Sequence, residues 1–70
     1  MRYTVFSRLS PREKDVIKAI IEYKCLDVSS IAERLIVSKS TVSRHLFDIY
    51  LTCDLPKNSI AGIVWRYYNQ

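Results

Sequence analysis

Residues 28–47, VSSIAERLIVSKSTVSRHLF, constrain the fold of this chain more than any other stretch. Ile31, Ala32 and Leu35 fall on one face of a short helix, and Val42, Leu46 and Ile49 on one face of a second. Between them Ser38 follows Val37 as a good N-cap, and the second helix opens SKSTVSRH. Two apolar stripes joined by so tight a turn bury each other. The polar, partly basic face of the second helix is then left outside. This is the arrangement that carries a recognition helix into the DNA major groove, and it points to a DNA-binding module, not an enzyme.

The neighbouring segments supply two more helices. Ser10-Pro11-Arg12-Glu13 reads as an N-cap, a proline at the first helical position and a capping-box glutamate. Val16, Ile17, Ile20 and Ile21 then recur at helical spacing, predicting a helix over residues 11–23. Asp27 is the expected N-cap of a helix over 28–35, and a third helix is expected over 39–53. Leu55-Pro56-Lys57-Asn58 breaks the pattern, and Asn58 or Ser59 caps a last helix over about 59–68. Residues 1–9 are a lead-in whose Val5, Phe6 and Leu9 are expected to pack back on the body. The expectation is one all-α, four-helix domain over residues 1–70 with no strand.

Composition fits that reading. Seventy residues lie near the lower limit for one self-sufficient core, so dimerisation would be a natural supplement. A formal net charge of +4 suits a polyanionic partner. Cys25 and Cys53 are too few for a disulfide scaffold and sit among apolar residues, as reduced packed thiols do. Together with His45 they make no zinc spacing, so neither metal nor cofactor is expected. Neither a signal peptide nor a membrane-length run occurs, and the expected location is the cytoplasm.

Three motifs in order, LSPRE at 9–13, IAERL at 31–35 and SKSTVSRHL at 38–46, resemble the LuxR/GerE (FixJ-type) helix-turn-helix domain of bacterial transcription regulators. The resemblance runs from Leu9 to about Tyr68 and implies a sequence-specific DNA-binding regulator that works as a dimer. With no receiver or ligand-binding segment ahead of Leu9, it implies a stand-alone member. Three departures stand out. Ile36 occupies the turn position that is often Gly, the loop at 23–27 is one residue longer and lacks Gly, and Leu51 and Thr52 replace frequent cations.

On the third helix, Val42, Leu46, Ile49 and Cys53 cluster in a buried stripe, with Ser40, Arg44, Phe47 and Leu51 opposite. Arg44 is the best base reader, because its fork matches guanine O6 and N7. Ser43 and Phe47 join it as base contacts, and the resemblance implies the same three positions. Lys39, Ser40 and Thr41 lie at the helix start, where amides, hydroxyls and the positive dipole end suit phosphates. Phe47 either touches a thymine methyl or forms, with Leu51, an apolar strip for a protein partner.

Ile60, Ile63, Val64 and Tyr67 form a sealing stripe on the last helix. Ala61, Trp65 and Tyr68 form a second one, beside Gly62, which would let another backbone approach. The resemblance implies a homodimer contact there; the alternative is that Trp65 covers the lead-in segment. Expected partners are double-stranded DNA, a second copy, and a larger transcription regulator or RNA polymerase. The competing function is a small accessory or antagonist protein that binds a larger regulator through the last helix or the Phe47/Leu51 strip.

Overall fold

A computed structural model describes residues 6–69. Each helix starts where a side chain satisfies an amide that the helix itself leaves without a partner. Helix α1 (Pro11–Glu22) opens on a complete capping box: the Glu13 amide donates to Ser10 Oγ at 3.3 Å, and the Ser10 amide to Glu13 Oε1 at 3.2 Å. Asp27 caps α2 (Val28–Leu35) by accepting from the Ser30 amide at 2.7 Å. Ser38 caps α3 (Lys39–Thr52), and Ser59 caps α4 (Ile60–Tyr68). Against the sequence expectation, Tyr23 and Cys53 are C-caps, not helical residues; of the two expected caps for the last helix, Ser59 is the one used.

The stripes meet in one wholly apolar core. Helix α1 packs against each of the other three, and α2 packs against α3. Val16, Ile17, Ile20, Ile31, Val42, Ile49 and Ile63 are essentially sealed from water, and no buried polar or charged residue lies among those described. From the lead-in, Phe6 and Leu9 are buried, and Phe6 stacks on Tyr67 with centroids 6.4 Å apart. The expectation for Val5 lies outside the described residues. Burial and the Glu13 carboxylate push the Cys53 thiol up, offset in part by Arg66, and neither Cys25 nor Cys53 is in a disulfide.

The sharp turn between α2 and α3 is a Schellman motif built without glycine. Ile36 adopts φ 57° and ψ 51°, the Val37 amide donates to the Ala32 carbonyl at 3.1 Å, and the Ile36 amide to Glu33 at 3.3 Å. A β-branched residue is a poor occupant of the left-handed region. Its side chain points outward, 90% exposed, so it gains no packing in return. Ile36→Gly is therefore expected to raise stability by about 0.5–1 kcal/mol, the relief of roughly 1–2 kcal/mol of strain less the extra chain entropy of glycine. A higher urea midpoint at unchanged slope would record it, whereas a lower midpoint would mean that the Ile36 side chain packs on the fold.

Lys24, at φ 55°, is the left-handed residue after α1, and the Cys25 amide reaches back to the Ala19 carbonyl at 3.1 Å. The longer loop thus turns on a lysine where the resemblance leads one to expect glycine. Across it, the Arg34 guanidinium lies 3.4 Å from the Tyr23 ring centroid and clamps α2 to the end of α1.

Candidate nucleic-acid interface

Helix α3 is divided lengthwise. Val42, Leu46 and Ile49 are buried against α1 and α2, while Ser40, Ser43, Arg44, Phe47 and Leu51 are exposed. Ser40, Arg44 and Phe47 recur at steps of four and three, which places them on one outward row with Ser43 alongside. No hydrogen bond or ion pair among the described residues engages the Arg44 guanidinium, so its donors remain available. Phe47, 60% exposed, follows it on the row. The three expected base contacts thus share one accessible face.

The start of α3 is organised by Ser38. Its Oγ accepts from the Thr41 amide at 3.2 Å and lies 2.8 Å from Thr41 Oγ1 and 3.1 Å from Ser40 Oγ. The cap satisfies the Thr41 amide and leaves those of Lys39 and Ser40 without an intrahelical partner. Lys39 and Ser40 are exposed and Thr41 is half-buried. Ser40, Thr41, Arg44 and His45 line an open hollow of ≈ 300 Å³ beside this end. An anion seated here would meet free amides, hydroxyls and the positive end of the helix together.

His45 is half-buried, and its Nδ1 is enclosed without a hydrogen-bond partner. Beside the buried stripe, the sequence expectation for His45 is a packed or phosphate-touching imidazole, and it joins this hollow one turn after Thr41. A second hollow, ≈ 650 Å³ and wide open, is lined by Ser29, Glu33, Ile36 and Lys39 among others. Its walls come from both sides of the turn, so no single motif announces it.

Ala61, Trp65 and Tyr68, the expected dimer residues, are all exposed on α4, with Trp65 at 51% and Tyr68 at 64%. Tyr68 also lines a groove of ≈ 180 Å³ with Ile20, Ile21, Lys24, Leu26 and Val64. Gly62 requires a correction. It is buried, and a Cβ there would fall on the Lys57 carbonyl oxygen, so the backbone that approaches it belongs to the loop ahead of α4 in the same chain. Of the described lead-in residues, Phe6 packs on Tyr67, and Trp65 is half exposed.

Among the described residues no three His, Cys, Asp or Glu side chains come together as a metal-binding group. No helix there is long and apolar enough to cross a membrane.

Four helices, a tight turn between α2 and α3, and an α3 that buries one face and offers the other define a helix-turn-helix DNA-binding domain. A family model described as Sigma-70, region 4 matches residues 5–50, more than half of the chain. The chain belongs to the Sigma-70 region 4 family, a non-enzymatic family of DNA-binding domains in transcription. The matched span holds α1, α2 and most of α3, and α4 lies beyond it. No curated protein and no solved structure matches the chain. The helix-turn-helix class read from the LuxR/GerE-like motifs is thus shown, and the family that the match gives is Sigma-70 region 4.

Proposed function

We propose that this chain is a sequence-specific reader of promoter DNA that regulates transcription in the cytoplasm, with α3 in the major groove. The observation that carries the reading is the lengthwise division of α3: Val42, Leu46 and Ile49 hold the helix to the body while Ser43, Arg44 and Phe47 face out. Arg44 contacts guanine, Ser43 and Phe47 contact neighbouring base edges, and Lys39, Ser40 and Thr41 hold phosphates. Family membership supports RNA polymerase or a larger regulator as protein partner. A salt titration of binding to random duplex DNA tests the reading. Affinity should fall linearly with salt on a log–log plot, with a slope of about −0.9 per phosphate contacted. No binding at low salt would refute it.

The finer LuxR-type role adds a homodimer through α4. An exposed row of Ala61, Trp65 and Tyr68, on a helix that already seals the core with Ile63, supports it. Sedimentation should then show a dimer at micromolar concentration, and Trp65→Ala should give a folded monomer. The two recognition helices would meet half-sites roughly 10 bp apart. A wild-type chain that sediments as a monomer throughout would end the dimer reading.

The exposure of Phe47 and Leu51, 60% and 71%, favours a second reading in which α3 binds a protein. In that case DNA affinity is poor, and either Phe47→Ala or Leu51→Lys abolishes binding to RNA polymerase.

A further inference from the structure

We infer that Phe47 reads the C5-methyl group of a thymine, and that this thymine lies within one or two base-pair steps of the guanine contacted by Arg44. The inference deepens the DNA-reading proposal and rests on it. Phe47 is an apolar ring, 60% exposed, set on a row whose earlier members, Ser40 and Arg44, are polar. The row leads from the hydroxyl-lined, cationic start of α3, so Phe47 continues the DNA face and does not stand apart from it.

Base chemistry then selects its target. In the major groove the base edges present ring nitrogens, carbonyl oxygens and amino groups, and one apolar group, the thymine methyl. A phenyl ring pressed on any of the polar atoms would strip water from them without replacing a hydrogen bond. Against the methyl, both surfaces lose unfavourable contact with water.

Spacing sets the register. Arg44 and Phe47 are three residues apart, about 4.5 Å along the helix, against a base-pair rise of about 3.4 Å. Leu51 lies a further 6 Å or so along, roughly 16 Å from Ser40, beyond the reach of the groove floor. It also lies past the residue at which the family match ends. The apolar base contact therefore falls to Phe47.

The test uses a duplex enriched from a random pool by the full chain. Each thymine in it is replaced singly by deoxyuridine, which removes the methyl and nothing else. At one position uracil should weaken wild-type binding about fourfold, the factor carried by burying one methyl-sized group. Phe47→Ala should bind the thymine and uracil versions of that position equally, and Phe47→Leu should keep part of the discrimination. Because the ring is exposed, both variants are expected to fold. Wild-type binding indifferent to uracil at every thymine, or a uracil penalty that persists in Phe47→Ala, overturns the inference while leaving DNA reading intact. A pool that yields no enriched duplex removes sequence-specific reading and this inference with it.

Discussion

Arg44→Ala should weaken binding to the preferred duplex about 5- to 150-fold, the 1–3 kcal/mol carried by a bidentate guanine contact, and should relax one position of the site. The side chain is exposed and buries nothing in the core, so the loss belongs to recognition and the unfolding midpoint should stay put. Lys39→Ala is the comparison. Lys39 stands at the helix start beside the free amides, where a phosphate is the natural ligand. Its removal should weaken all sequences alike and lower the salt slope by about one unit. Binding to a panel of single-position variants of the duplex, measured at several salt concentrations, separates the two. Equal and sequence-independent losses from both changes would take Arg44 out of base reading.

The largest effect on stability is expected from Gly62→Ala. The added methyl would collide with the Lys57 carbonyl oxygen, which already accepts the Ser59 amide at 2.9 Å. Ser59 in turn accepts the Gly62 amide at 3.1 Å, so the loop cannot withdraw without disturbing the cap of α4. Overpacking against backbone costs about 3 kcal/mol, and Ala recovers about 1 kcal/mol over Gly inside a helix. The net loss is about 2 kcal/mol, which lowers Tm by roughly 10–15 °C in a domain of this size. Thermal unfolding of the variant measures it. Unchanged stability with altered sedimentation would instead mean that Gly62 opens toward a second chain.

Much of this fold could be read along the chain. The caps at Ser10, Asp27, Ser38 and Ser59 are local chemistry, and all four accept amides as their residue types require. The stripes on α1 and α3 follow from helical period alone, so their burial and the outward set Ser43, Arg44 and Phe47 were legible together. What escaped depends on residues distant in sequence or on backbone angles that composition does not announce. Their own residue types do not mark Lys24 and Ile36 as left-handed, because glycine or asparagine is the usual signal; only the resemblance, with its frequent Gly at the position of Ile36, points to a special turn. The partner of Gly62 is five residues back, in the loop ahead of α4, and that of Arg34 is eleven residues back. Family identity divides the same way. Capped helices and facing stripes are demanded of every helix-turn-helix, so LSPRE, IAERL and SKSTVSRHL fix the class more firmly than the branch within it.

The division of α3 also bears on how such a chain changes over generations. Val42, Leu46 and Ile49 tie the helix to the body, and positions 43, 44 and 47 are all exposed. Exchanges at those three positions are close to neutral for folding, within about 0.5 kcal/mol for exposed sites of this kind. Target preference can therefore drift under selection without passing through unfolded intermediates, and two descendants of one scaffold can come to address different promoters while sharing the same core.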